Sequence, residues 1–341
     1  MAGTKVRCML GAVALLAAMG TSQAQDAEAQ FYKGKTVRMI VGFGPGGGYD
    51  AYARMIAPYL SHELGANVVV ENQPGAGSIS AMNNLSIAPP DGLQLMLANG
   101  TAAGLAQIMG MSGVRYDLSK LTQLGTVSAS PWVWLVPVQS PLRTIDDVRK
   151  LGRPLNWSSS GPIDGLSDGA QITCEALKLN CKIVMGYKGS SEAALAVARN
   201  EMDAIYVSDT SANNYVKAGD LRAIANMARR KSRFFPDLPT VYEMEKLSPE
   251  AQWLFDFHGT VEDLGRILIM PANIPAARLA FVNAAVARAL KDPALIAEGE
   301  KSQRYVDFIG PEETRKAVNS AIGQLTPEQR KTVQSVLSVN K

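Results

Sequence analysis

The chain is poor in the residues that most often carry chemistry. It has three cysteines and two histidines in 341 residues, and aromatic residues make up only 6%. His62 and His258 stand far apart and no Cys/His cluster has metal-ligand spacing, so no metal centre is expected. Both histidines read as surface or packing residues. No G-x-S-x-G elbow is present, and Ser78 in the run Gly75-Ala76-Gly77-Ser78 does not meet that spacing, which leaves a hydrolase without its sequence signature. A near balance of 34 basic and 31 acidic residues gives no footprint for nucleic acid. There is no low-complexity tract, no charged tail and no clear internal repeat.

What is present begins with an export signal. Lys5 and Arg7 form a short basic region, Met9 to Met19 is an apolar run, and Ser22-Gln23-Ala24 fits a small-x-small cleavage site. Residues 1–24 therefore read as a secretory signal peptide. The apolar run is too short to span a bilayer comfortably, and no later segment is long and apolar enough to do so. Losing Lys5 and Arg7 takes the formal net charge from +3 to +1. The expected mature protein is exported, and its 47% hydrophobic and 19% charged composition suits a globular chain of two domains. Cys174 and Cys181 remain after cleavage. An oxidising compartment permits a disulfide closing this short loop, with reduced packed thiols as the alternative.

Residues 39–78 carry most of the information. Val37 to Phe43 read as a strand, Gly44-Pro45-Gly46-Gly47-Gly48 as a turn, and Ala53, Ile56, Ala57, Leu60 and Leu64 as one face of a helix containing Pro58. Asp50 is placed to cap that helix. Val68 to Val70 form a second strand, ending at another glycine-rich turn. Bare amides at a helix N-terminus favour an anion, so this segment points to a carboxylate or phosphate site. Gly42, Gly44 and Gly47 also satisfy G-x-G-x-x-G, with Glu71 near the position of a ribose-binding acid. A dinucleotide-binding oxidoreductase is therefore the rival reading, and export counts against it.

Strand–turn–helix units recur down the chain. Strands are expected at Leu93–Ala98, Trp132–Val138, Leu155–Trp157, Lys182–Met185, Ala204–Val207 and Leu221–Ala225, with helices near 167–177 and 192–200. The alternation predicts parallel α/β sheets. Leu279, Val282, Val286 and Leu290 mark a core-facing helix that starts after Pro275 and stops at Asp292-Pro293, and Pro311 and Pro327 each fit a helix start. The turns at 44–50, 75–78, 99–101, 158–168, 187–190 and 208–211 all follow predicted strands and are rich in Gly, Ser, Thr and Asn. Ligands of open α/β sheets bind at that end of the strands.

The segments FYKGKTVRMIVGFGPGGGYDAYAR, VVVENQPGAGS, PPDGLQLMLANGT, VMGYKGSSEAALAVARNEMDAIYVSD, VKAGDLRAIA and FPDLPTVYE together resemble the periplasmic receptors of tripartite tricarboxylate transporters, the TctC or Bug family. They cover most of residues 31–242, and the tail IPAARLAFVNAAVARALKDPALIAE is similar to the family's C-terminal helices. The resemblance implies an α/β, two-lobed, type II-like periplasmic binding protein with a ligand cleft between lobes. It implies lobe 1 from 25–127 and 230–341, and lobe 2 from 128–229. It further implies a receptor, not an enzyme, that binds a small organic acid without a cofactor and delivers it to membrane subunits. A sensing role without transport is the variant within the same reading. A monomer is expected.

By the same resemblance the ligand-binding positions are Phe43, Pro45, Gly46, Gly47, Gly48, Tyr49 and Asp50 in the first loop, Gly77 and Ser78 in the second, and Asn99 and Thr101 in the third. Those of lobe 2 are Ser159, Ser160, Gly161, Tyr187, Lys188 and Asp209. The three glycines 46–48 would offer amides to a carboxylate, Asn99, Thr101 and Ser159 would add hydrogen bonds, and Asp209 would accept from the ligand or a water. Trp157 would wall the cleft or lie in the core. The chain departs from the family pattern in three places. Tyr49 is bulkier than the usual residue before that Asp, extra residues stand around Pro162–Gly165, and FDFHGTVEDLGRILIMPANIP replaces the usual segment before the C-terminal helices.

Overall fold

The computed structural model describes residues 25–46, 48–159, 165–187, 190–323 and 325–338. In chain order the elements are α1 (25–32), β1 (Thr36–Val41), α2 (Gly48–Leu64), β2 (Asn67–Asn72), α3 (Ile79–Ser86), β3 (Gln94–Asn99), α4 (Gly100–Ile108), β4 (Thr122–Ser128), β5 (Trp132–Pro137), α5 (Ile145–Arg149), β6 (Leu155–Ser158), α6 (Gly165–Ala176) and β7 (Cys181–Val184). They continue with α7 (Ser190–Ala198), β8 (Ile205–Ser208), α8 (Asp209–Lys217), β9 (Leu221–Asn226), α9 (Val241–Met244), α10 (Pro249–Glu262), β10 (Arg266–Met270), α11 (Ala276–Leu290), α12 (Pro293–Lys301), α13 (Pro311–Val318) and α14 (Pro327–Leu337). The expected signal peptide lies outside the described residues. Among the described residues no helix is long and apolar enough to cross a membrane.

Contacts divide the chain into two units. The first comprises residues up to Ala98, Lys120–Gly125 and Leu268–Pro311, and the second comprises Asn99–Ser119, Thr126–Ile267 and the chain from Glu312 onward.

The first unit is built on a sheet of order β2-β1-β3-β10-β4. β1 pairs in parallel with both β2 and β3. Val37, Met39, Ile40, Val41, Leu95, Met96 and Leu97 have no exposed surface, because these strands are covered on both faces. α2 covers them with Ile56, Leu60 and Leu64, and packs in turn on α11. Each Leu or Ile buried in this way contributes roughly 1.5–3 kcal/mol. Pro58 lies within α2 on its exposed side, where the missing amide bond faces away from the core. Arg278 holds α1 in place: its guanidinium lies 3.5 Å from the Phe31 ring centroid, and its Nε donates to Glu28 at 2.8 Å.

The second unit contains the three-stranded sheet β8-β5-β9 and the parallel pair β6-β7, linked by a parallel bridge between Trp157 and Ala204. β5 is antiparallel to both β8 and β9, which corrects the all-parallel expectation. The reason is local. β5 follows β4 with no helix between them, so no crossover dictates its direction. One face of this sheet is aliphatic: Val133, Leu135, Ile205 and Val207 pack with Ala193, Ala194 and Val197 of α7. The other is aromatic. Trp134 and Trp157 are fully buried with ring centroids 4.7 Å apart, so Trp157 belongs to the core and walls no cleft.

Cys174 of α6 and Cys181 of β7 form a disulfide, with Cα atoms 6.2 Å apart. β4, α10 and β10 have no counterpart in the sequence reading. β4 carries Thr, Gln, Gly and Ser among its seven residues and lacks a clear apolar pattern. The second half of α10 and all of β10 occupy the segment that departs from the family pattern.

Candidate functional site

In the first unit the candidate residues gather at the carboxyl ends of β1 and β2. A ring of polar contacts fixes the loop. The buried Asp50 carboxylate accepts from the Gly46 amide at 2.8 Å and from Arg54 Nε at 3.0 Å. Arg54 Nη2 donates to Asn72 Oδ1 at 3.1 Å, and Asn72 Nδ2 donates to the Phe43 carbonyl at 3.0 Å. The Arg54 hydrogen bond, helped by the Gly46 amide, holds the Asp50 carboxyl down at about 2. Asp50 is thus not the helix cap expected from sequence. It sits two residues inside α2 and spends its charge on the loop, where the Gly46 amide is also engaged. Pro45, Gly46 and Gly48 are exposed, and Tyr49 packs on Phe43 with ring centroids 5.0 Å apart. The bulk of Tyr49 therefore has a partner. Gly47 lies outside the described residues.

The second turn of this unit, Ala76-Gly77-Ser78, is a short 3₁₀ turn leading into α3. Ser78 has φ +81°, its amide donates to the Gly75 carbonyl at 2.9 Å, and its buried Oγ has no hydrogen-bond partner. A buried hydroxyl without a partner costs about 1–3 kcal/mol, so its presence at the N-terminus of α3 marks a place for an acceptor group. A Cβ on Gly42 would lie 1.9 Å from that Oγ, so glycine is required at the end of β1 for this approach.

In the second unit Ser159, Tyr187 and Asp209 follow β6, β7 and β8. Ser159 is fully buried; its amide donates to the Val184 carbonyl at 2.9 Å, and the Tyr187 amide donates to the Ser159 carbonyl at 3.3 Å. Asp209 opens α8. It is buried and accepts from Ser232 Oγ at 2.9 Å, while its amide donates to the Pro131 carbonyl at 2.9 Å. Burial raises its carboxyl above the ordinary range, and the Ser232 hydrogen bond opposes that. Ser160, Gly161 and Lys188 lie outside the described residues.

Asn99, the last residue of β3 and N-cap of α4, and Thr101 on α4 fall in this unit too. The Asn99 side chain caps that helix by accepting from the Ala102 amide at 3.1 Å, and Thr101 Oγ1 donates to the Val261 carbonyl of α10 at 3.1 Å. Both hydrogen bonds serve the scaffold.

The sequence reading did not single out Arg54, Asn72, Ser232 or Trp132. Arg54 had a usable signal, its i,i+4 spacing from Asp50 on a predicted helix. Asn72 and Ser232 had none, because their partners are distant in sequence. Behind the aromatic face lies a further buried group. The Tyr206 hydroxyl and the Glu262 Oε1 each stand 3.5 Å from His258 Nδ1, and all three side chains are buried. Burial lowers His258 to about 3 and pushes the Glu262 carboxyl well above its usual range.

Among the described residues no group of three or more His, Cys, Asp or Glu could hold a metal. Glu71 is not presented to a ribose: it accepts from Gln73 Nε2 at 2.9 Å and lies 3.6 Å from Arg38. A small cavity of about 130 Å³, lined by Ser191, Ala194, Leu195, Tyr215 and Leu221, is mainly apolar.

Strands that end in glycine-rich and hydroxyl-bearing turns, in each of two α/β units, define a solute-binding protein of the two-lobed periplasmic-binding type. The chain belongs to the tripartite tricarboxylate transporter receptor family, TctC, whose model matches residues 52–323. It is 29% identical over 266 residues to a UPF0065 protein of Bordetella pertussis, covering 76% of this chain and 82% of that one. Its fold is similar to a TctC solute-binding protein from Polaromonas, with TM-score 0.72, 17% identity and coverage of 90% and 99% of the two chains. It is also similar to an R. palustris protein solved with adipate, with TM-score 0.66, 19% identity and coverage of 89% and 97%. Receptors of this family are not enzymes, which removes the oxidoreductase reading.

Proposed function

We propose that the chain is an exported receptor that captures a small carboxylate-bearing solute and presents it to the membrane subunits of a tripartite tricarboxylate-type transporter. The observation that carries this reading is the first-unit loop. Asp50, Arg54 and Asn72 hold the exposed Pro45-Gly46 turn beside the N-terminus of α2, and the unpartnered Ser78 hydroxyl stands at the N-terminus of α3. Two helix N-termini and a hydroxyl suit a carboxylate without requiring a basic side chain. Family membership supports the same solute class, as does the adipate held by a protein of similar fold. Residues 1–24 serve in this reading as the cleaved signal, and residues 25–127 with 230–341, and 128–229, act as the two lobes.

The test is a thermal-shift and calorimetric screen of residues 25–341 against organic acids, amino acids and nicotinamide nucleotides. A ligand that binds only the folded state raises the midpoint by mass action. A shift with an organic acid and a 1:1 isotherm supports the receptor. Shifts confined to the nucleotides would sink it.

A further inference from the structure

Tyr49 is bulkier than the residue usual before the loop Asp, and the fold gives that bulk a defined place. It is the second residue of α2, and its ring packs on Phe43, two residues past the end of β1, with centroids 5.0 Å and planes 28° apart. Both residues are half-buried. The stack is pinned at both ends. The Phe43 carbonyl accepts from Asn72 Nδ2 at 3.0 Å, and Asn72 Oδ1 accepts from Arg54 Nη2 at 3.1 Å. Arg54 Nε in turn donates to the buried carboxylate of Asp50, the residue after Tyr49, at 3.0 Å. One run of hydrogen bonds therefore joins the residue that carries the first ring to the neighbour of the residue that carries the second.

The turn between the two rings is bare. A Cβ built on Gly44, Gly46 or Gly48 would meet no atom of the described residues within 4 Å. Gly46 has φ +81°, which favours glycine, but Gly44 has no such backbone requirement. Neither conformation nor packing accounts for the missing side chain at Gly44, and open space is left beside the stacked rings. The acceptor end of the site is marked independently. The Ser78 hydroxyl is buried without a partner, and it lies 1.9 Å from where a Cβ on Gly42, the residue before Phe43, would stand. A flat apolar group attached to a carboxylate here would meet ring surface that the fold already holds in place, so little ordering entropy is lost on binding. A polar group in the same position would be desolvated against the rings.

We propose that Tyr49 is a specificity-determining residue, and that the solute carries an aromatic ring next to its carboxylate, stacked on the Phe43–Tyr49 pair. All the residues in this site belong to the first unit. The inference rests on the receptor reading above and narrows its solute class.

The experiment titrates residues 25–341 with benzoate, phenylacetate, propionate and adipate by calorimetry. The expected result is that an aromatic acid binds at least tenfold more tightly than either aliphatic acid. Tyr49→Ala then weakens the aromatic acid by about tenfold or more and changes the aliphatic acids by less than about twofold, and Tyr49→Phe retains most of the affinity. Gly44→Ala, made where the fold has room, should leave the melting temperature unchanged and weaken the aromatic acid severalfold. Circular dichroism confirms that each variant folds. Tighter binding of propionate or adipate, or wild-type affinity for the aromatic acid in either Tyr49→Ala or Gly44→Ala, overturns the proposal and leaves the receptor standing. Binding of none of the organic acids by a folded protein overturns both.

Discussion

Ser78 Oγ occupies the space that a side chain on Gly42 would need: a Cβ built on Gly42 lies 1.9 Å from it and 3.0 Å from the Ser78 Cα. The end of β1 and the turn before α3 are therefore coupled through one missing methyl group. Gly42→Ala is expected to destabilise the protein by about 1–3 kcal/mol, as overpacking does. Adding Ser78→Gly should recover much of that loss, because it removes both the clash and the positive φ of a non-glycine residue. Urea unfolding of the two single variants and the double variant measures the coupling. Simple additivity would show that the two residues act independently.

Ser78→Ala separates stability from binding. The hydroxyl is buried without a partner, so its removal should leave the melting temperature unchanged or slightly raised. Affinity for the solute should fall severalfold if this hydroxyl meets the carboxylate. A variant with wild-type affinity would remove Ser78 from the site.

Asp50 gives the loop an acid-sensitive lock. Its carboxyl is held at about 2 by Arg54 and Gly46, below an ordinary 3.8. A depressed carboxyl stabilises the fold above the ordinary value, and the contribution disappears as pH falls through about 2. The Arg54 head is half exposed, so screening limits the contribution to about 1–2 kcal/mol. Asp50→Asn should cost that amount at pH 7 and make stability less dependent on pH below 4. An unchanged slope in that range would refute the assignment.

His258 and Glu262 should give stability two opposed pH dependences. In the fold burial keeps His258 neutral to about 3 and raises the Glu262 carboxyl well above 4.5, with Asp263 and Asp168 adding to the rise. The lowered His258 makes stability fall as pH drops from 6.5 toward 3, because the unfolded imidazole binds a proton that the folded one does not. The raised Glu262 makes stability fall as pH rises above 4.5, because the fold retains a proton that the unfolded chain releases. Below 4.5 only the first decline operates. Each slope approaches about 1.4 kcal/mol per pH unit for one proton. Glu262→Gln should flatten the alkaline side, and His258→Gln the acidic one. Chemical denaturation across pH 3–9 tests both, and slopes unaltered by either substitution would rule out the pair as their source.

The Cys174–Cys181 bridge closes a loop of sequence separation 7. Constraint of the unfolded chain by so short a loop contributes about 2–3 kcal/mol. Cys174→Ser with Cys181→Ser should lower stability by that amount, and dithiothreitol should do the same to the wild type but not to the double variant. Equal sensitivity of both proteins to the reductant would contradict this.

The elements that were legible in the sequence are those with strong local patterns. β1, α2, β2 and β3 follow from an apolar run, a 3.6-residue stripe and glycine-rich breaks, and α11 follows from Val282 and Val286 with Asp292-Pro293 as its stop. β4 and α10 were not legible. β4 is half polar and interrupted by Gly125, and α10 places His258 and Glu262 on a buried face where periodicity expects apolar residues. Of the expected turns, 75–78 is a short 3₁₀ turn, whereas 99–101 and 208–211 are strand ends that run directly into α4 and α8. What their side chains do was not visible, since Asn99 could equally cap a helix or meet a solute until its acceptance from Ala102 was seen.

Strand–helix order, the glycine-rich segments after the strands and family membership are legible from residues adjacent along the chain. That β5 runs antiparallel, that Arg54 and Asn72 hold Asp50 to the loop, that Trp157 is core while Trp132 is half-buried, and that Tyr206, His258 and Glu262 meet emerges only on folding. Those relationships join residues from different elements. The burial that lowers His258 and raises Glu262 exists only after the chain has closed around them, so no local pattern encodes it.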